Sequence, residues 1–262
     1  MTHTPFALRL ALVAALVSGC ITTPAPSSPG SLYSRTMTYQ GMSYPFVVYV
    51  PTTYDARTPA PSVLLIHGAG GSGPDFITTW TGFAESKGII VVAPTLDLSA
   101  EAERNVPVVF PRLMDAVKTE WNVDPARRYL FGYSAGGYFV YDAALLNASY
   151  FAGAGVFGSV IQPEYDDIVR RAERTTSIAI YLGDRDQYFS LQQGRRTRDL
   201  LLANGMDVHY VELANQDHDY PVVAGSVNAD VWAYLTSRPA RANQGRSETH
   251  QPSAPVDAVT TH

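Results

Sequence analysis

The stretch "RRYLFGYSAGGYFVYDAALL", residues 127–146, joins two patterns in twenty consecutive residues. Its first part is an apolar run suited to a buried strand. From about Ala135 to Leu146 the spacing is helical. Between the two stands Gly-x-Ser-x-Gly around Ser134. That short pattern is weak by itself. With glycine at ~7% of residues, it arises by accident in roughly one chain in ten of this length. Its context gives it weight. A serine on a sharp strand-to-helix turn has its hydroxyl exposed, and the amides and positive end of the following helix face any anion formed there. So tight a turn needs small neighbours, which Gly132, Ala135 and Gly136 supply. Ser134 is therefore read as a nucleophile and not as an ordinary loop serine.

Working outward, strands and helices alternate. Upstream, "PFVVYV" (45–50), "SVLLIHG" (62–68) and "IIVVAP" (89–94) read as strands. Between the last two, "PDFITTWTGFAESKG" has helical spacing at Phe76, Trp80 and Phe83, with Gly88 as a stop. The segment "VPVVFPRLMDAVKTEW" reads as mostly helical although Pro111 sits inside it. Downstream, "AGAGVFGS", "TSIAIYLG" and "DVHYVEL" read as strands, and "LQQGRRTRDLLLANG" and "VVAGSVNADVWAYLTS" as helices. This alternation predicts an α/β fold: a mostly parallel central sheet of about eight strands, with helices on both faces.

The two ends of the chain differ from this middle. "MTHTPFALR" carries Arg9, "LALVAALV" is an apolar run too short to span a bilayer, and "SGC" ends in Cys20. "LVSGC" resembles the lipobox of bacterial lipoproteins, in which the cysteine after the cut is lipidated. Cys20 is the single cysteine of the chain. Residues 1–19 are thus expected to be a lipoprotein signal peptide, and Cys20 the point of attachment to a membrane after export. Residues 20–34, rich in Pro, Ser and Thr, read as a flexible tether. After Ser237 the apolar periodicity stops, and 238–262 is expected to be disordered. The folded domain is then placed at 35–237.

Composition narrows the partners. Of the 262 residues, 46% are hydrophobic and 16% charged, with a net charge of −5, which suits one sizeable α/β core. No basic run interleaves with aromatics, so nucleic acid is not an expected partner. The sixteen tyrosines are read mainly as half-buried packing residues, a few of them available to a cleft. Metal-ligand spacings are missing. "GAGGSG" lacks both the ending of a phosphate-binding loop and the spacing of a dinucleotide fingerprint.

The stretches "YVPTTYD", "PSVLLIHGAGGSG", "VDPARRYLFGYSAGG", "GDRD" and "DHDYP" together resemble the α/β-hydrolase superfamily. The resemblance is to the group that includes polyhydroxybutyrate depolymerase-like esterases, feruloyl esterases and dienelactone hydrolase relatives. It implies a chain order of Ser, then Asp or Glu, then His. That order excludes His67, read as structural. His209 falls inside "DVHYVEL" as a strand residue. His218, in the polar loop "ANQDHDYP" before the final helix, is the expected general base. The acid must orient the imidazole, and both Asp184 and Asp186 follow the strand "IAIYLG". The resemblance, through Gly-x-x-Asp at this turn, selects Asp186. Asp166 and Asp167 are read as solvated surface. Two backbone N–H groups should form an oxyanion hole: that of Ala135, the residue after the nucleophile, and by resemblance that of Ala69 after His-Gly.

The reading is an exported, membrane-anchored serine hydrolase of carboxylic esters, working on a small-molecule or oligomeric ester without metal or organic cofactor. Two alternatives keep the fold: a serine peptidase of the prolyl oligopeptidase type, and a non-catalytic binding lipoprotein.

Overall fold

The computed structural model describes residues 30–97, 100–172, 176–238 and 259–261. The segment expected to be a signal peptide, with Cys20, and 239–258 of the expected tail, lie outside the described residues. The strands among the described residues form one sheet. Its strands are β1 (Ser31–Tyr39), β2 (Met42–Val50), β3 (Ala60–Ile66), β4 (Ile90–Pro94), β5 (Val123–Tyr133), β6 (Gly153–Phe157), β7 (Ser177–Gly183), β8 (Asp207–Leu213) and β9 (Val259–Thr261). Their spatial order is β8-β7-β6-β5-β3-β4-β2-β1-β9. From β4 to β8 all pairings are parallel, and β2, β1 and the short β9 add antiparallel at one edge.

Two expectations at the ends are corrected. The first described strand starts at Ser31, inside the segment read as a tether, and pairs with β2 from Ser31↔Val50 to Tyr39↔Met42. Within the segment read as a disordered tail, residues 259–261 pair with β1, Arg35 opposite Thr261.

The helices are α1 (Gly73–Lys87), α2 (Ala100–Lys118), α3 (Ala135–Leu146), α4 (Asp166–Arg170), α5 (Leu191–Ala203) and α6 (Tyr220–Thr236). Each parallel strand feeds both faces of the sheet. Val63 and Leu65 of β3 pack with Phe76 and Trp80 of α1 and Val227 of α6. Leu64 and Ile66 pack instead with Phe110 and Leu113 of α2 and Val140 of α3. That two-sided burial explains why the strands read as continuous apolar runs.

Of the two prolines inside α2, Pro107 and Pro111, the second has a specific compensation. Pro111 has no N–H for the carbonyl four residues back, that of Pro107. Asn147, just past α3, donates its side-chain Nδ2–H to Pro107 O at 3.0 Å. Helix starts are capped as their sequences suggest. The Ser72 hydroxyl accepts from Asp75 N at 3.3 Å at the head of α1, and Ser190 and Gln193 form a reciprocal capping box on α5. The short α4 was not expected: Asp166 and Asp167 sit in its first turn, and Asp166 is ion-paired to Arg196 of α5.

The chain crosses from one side of β3 to the other, with β4 on one flank and β5 on the other. In open α/β sheets such a switch point opens a crevice at the carboxyl ends of the strands. Here those ends are His67–Ala69 after β3 and Ser134 after β5. The crevice is kept narrow by Gly136, where a Cβ would lie 2.4 Å from the carbonyl oxygens of both Ile66 and His67. These are backbone atoms of the central strand and have little room to yield. Gly136→Ala is expected to destabilise the domain by about 2–4 kcal/mol, read as a lowered thermal midpoint. An unchanged midpoint would show that α3 can lift off β3 freely.

Candidate active site

Ser134 has φ 53° and ψ −123°, a left-handed backbone on a non-glycine residue. Such a conformation persists only where its surroundings over-determine it. Two bonds do so here: Ser134 N donates to Phe157 O of β6, and Gly137 N donates to Ser134 O, both at 2.9 Å. The serine thus stands at the head of α3, whose first amides have no acceptor within the helix. Ala135, first residue of α3, is where the sequence reading put one oxyanion donor.

Ala69 lies in the exposed turn after β3. The preceding carbonyl, Gly68 O, is held twice: by His67 Nδ1 at 2.7 Å and by Gly71 N at 3.1 Å. Gly68 O and Ala69 N–H belong to one trans peptide, so fixing the oxygen on one side sets the N–H to the other. The second ring nitrogen of His67 accepts from Leu96 N at 3.0 Å. Since Nε2 accepts a backbone N–H, the proton sits on Nδ1. His67 is buried, with both nitrogens engaged, as befits a structural residue.

His218 and Asp186 meet. His218 Nδ1 lies 2.7 Å from Asp186 Oδ2, and the Asp186 side chain is fully buried. Asp186 Oδ1 accepts from the backbone N–H groups of Tyr188 at 2.8 Å and Phe189 at 3.0 Å. All these partners are N–H donors, a set that suits an acceptor-only carboxylate. His218 Nε2 is left buried without a hydrogen-bond partner and makes no bond to the Ser134 hydroxyl. Serine–histidine bonds in ligand-free sites are often long. Asp184, the other candidate acid, is exposed, and its backbone N–H donates to Leu213 O at 3.0 Å.

Several residues that the sequence reading did not single out build this arrangement. The Tyr133 hydroxyl donates to His218 O at 2.9 Å, tying the histidine loop to the residue before Ser134. Burial first, then the nearby carboxylates of Asp219 and Asp186, raise the Tyr133 phenol above its ordinary range, which keeps it a donor. Gly158, at φ 60°, lies against the pair: a Cβ there would come within 2.8 Å of His218 Cε1. The acid and histidine loops are joined directly, with Arg185 N donating to Gln216 O at 2.9 Å. The rings of Tyr133, Tyr188 and Phe189 surround the imidazole, at centroid distances of 5.2, 4.7 and 5.9 Å.

His209 is elsewhere, on β8. It pairs through Nε2 with Asp230 Oδ2 at 2.8 Å and stacks on Tyr234. Tyr181 also donates to that carboxylate oxygen, at 2.8 Å. This is a half-exposed packing arrangement on the sheet edge, as its strand placement suggested.

Strand order, the serine turn and the loops that follow β3, β7 and β8 define the class: this chain has the α/β-hydrolase fold. No model of a known protein family matches it. A bifunctional acetylxylan esterase/xylanase from Neocallimastix patriciarum is 28% identical over 170 residues, an alignment that takes in 59% of this chain and 23% of that protein. The chain therefore spans less than a quarter of that relative. Among solved structures, a ferulic acid esterase from Anaeromyces mucronatus, in complex with ferulic acid, superposes with a TM-score of 0.62 at 16% identity, covering 79% of this chain and 92% of that one. A dipeptidyl peptidase 4 from Porphyromonas gingivalis superposes with a TM-score of 0.64 at 13% identity, covering 80% of this chain and 36% of that one.

The His67 contacts make a prediction that needs no substrate. Nitrogen-15 NMR should find His67 in the Nδ1–H tautomer, its signal assigned by loss in His67→Gln. A protonated Nε2 would mean that the Leu96 contact is absent and that the Gly68–Ala69 peptide is less firmly held.

Proposed function

We propose that this protein is a serine hydrolase that cleaves carboxylic esters through Ser134, His218 and Asp186. The observation that carries the reading is the buried Asp186–His218 pair, with Nε2 bare, tied through Tyr133 to the residue before a serine held at φ 53°. Asp186 accepts from Nδ1–H, so Nε2 presents its lone pair. As substrate enters, Nε2 takes the hydroxyl proton of Ser134, and Oγ attacks the ester carbonyl. The carbonyl oxygen becomes an oxyanion facing the N–H groups of Ala69 and Ala135. Asp186 stabilises the imidazolium without taking its proton. His218 then gives that proton to the departing alcohol, leaving an acyl-Ser134. Water, deprotonated in turn by Nε2, attacks the acyl group. Collapse of the second tetrahedral intermediate releases the acid and returns the proton to Ser134. The likeness to an acetylxylan esterase supports an ester as substrate.

Labelling with a fluorophosphonate and a panel of esters and peptides test this together. Ser134→Ala should abolish labelling and ester turnover with unchanged circular dichroism. Asp186→Asn should lower kcat by on the order of 10⁴, while Asp184→Asn, at an exposed turn, should cost little. Turnover that survives Ser134→Ala would overturn the assignment, and peptides cleaved in preference to esters would move the protein to the peptidase reading.

We further propose that the protein is exported and held at a membrane through lipidated Cys20, with residues 21–30 as the tether. The lipobox-like "LVSGC" supports this. Among the described residues no helix is long and apolar enough to cross a membrane. Cys20→Ser should release the protein from the membrane fraction or leave its precursor uncleaved. A variant that matures and stays bound would dispose of this anchor.

A further inference from the structure

Tyr188 stands out among the rings around His218. Tyr133 packs against Phe76, Phe157 and Tyr220. Phe189 is buried, edge-on to Tyr138. Tyr188 is 68% exposed, second only to Val222 among the large hydrophobic residues described. Its ring meets the imidazole at 64° with centroids 4.7 Å apart. Its place in the chain is nonetheless fixed, because its backbone N–H is bound to Asp186 Oδ1. At that exposure most of this amphipathic ring is open to solvent, on a backbone anchored to the Asp186 carboxylate.

The mechanism gives that ring a position relative to substrate. The departing alcohol oxygen must come within about 2.6–3.2 Å of Nε2 to receive its proton. Its first carbons then lie about 4–5 Å from the imidazole, the range of an ordinary ring contact. His218 itself is buried, walled by Tyr133, Phe189 and Gly158 on its protein sides. Of the three rings against the imidazole Tyr188 is the exposed one, and so the one that a group arriving from solution can meet beside His218. We propose that Tyr188 is a specificity residue for the alcohol half of the ester, favouring alcohols that carry a flat ring able to stack on its exposed ring. This rests on the serine hydrolase reading and deepens it.

The alcohol leaves with the first chemical step, so the acyl-enzyme no longer carries it. Two esters of one acid share that intermediate, and any effect of Tyr188 on alcohol choice must appear in kcat/KM and not in deacylation. The test compares benzyl acetate with ethyl acetate on the parent enzyme, Tyr188→Ala and Tyr188→Phe. Comparing each variant with the parent on the same ester cancels the intrinsic reactivity of the two alcohols. A ring contact contributes about 0.5–1.5 kcal/mol, so Tyr188→Ala should lower kcat/KM for the benzyl ester by roughly 3- to 10-fold more than for the ethyl ester. Tyr188→Phe should keep the parent's preference. Fluorophosphonate labelling of Ser134 at the parent's rate reports that the site is intact in each variant. Equal losses on both esters would make Tyr188 a residue that positions His218, and unchanged ratios would remove it from recognition; either result overturns the proposal. If the parent labels at Ser134 but hydrolyses neither ester, the esterase reading fails, and this inference with it.

Discussion

The backbone of Ser134 is the constraint from which the rest of the site follows. A left-handed φ on a residue with a Cβ is unfavourable by about 1–3 kcal/mol unless its surroundings compensate. Here the compensation comes from β6, through Phe157 O, and from α3, through Gly137 N. Both depend on α3 lying close against the ends of β3 and β5, which Gly136 permits. The same closeness brings the His67–Ala69 turn alongside the serine. A small residue at one helical position thus decides where the proposed nucleophile and the proposed anion site stand relative to each other.

A second layer is carried by loops joined to one another rather than to the sheet alone. The acid loop after β7 and the histidine loop after β8 share the Arg185–Gln216 backbone bond as well as the Asp186–His218 pair. Tyr133 ties the histidine loop back to β5. Residues more than eighty positions apart in the chain are therefore held by short contacts whose strength comes from burial. The Asp186 carboxylate is the clearest case: withdrawn from water, it meets N–H donors from the imidazole and from two backbone amides.

Much of this was legible in the sequence, and the reasons differ by element. The core strands were readable because burial on both faces leaves a continuous apolar run. β1 was not, because it lies toward the sheet edge and follows a Pro- and Ser-rich stretch, so composition outweighed its partial alternation. The helix α2 was readable from 106 onward despite Pro111, though the reading carried it to 121 and it ends at Lys118; its compensation by Asn147 was not readable, since no local signal links the two positions. Asp186 and Asp184 could be separated only by resemblance. The geometry that separates them, one buried on His218 and the other exposed, belongs to the tertiary fold. Tyr133, Gly158 and Tyr188 gave no signal for the same reason: each acts on a histidine brought to it by folding.

The Asn147 contact has a consequence for how this sequence can drift. Pro111 leaves the Pro107 carbonyl without a helical partner, and Asn147 supplies one. The two positions then form a single unit of inheritance. Loss of Asn147 while Pro111 remains strands a partly buried carbonyl, whereas replacing Pro111 by a residue with an N–H frees position 147 to vary. Lineages that exchange the proline should reach it first and release the asparagine afterwards, so the order of the two substitutions is biased by one hydrogen bond far from the serine.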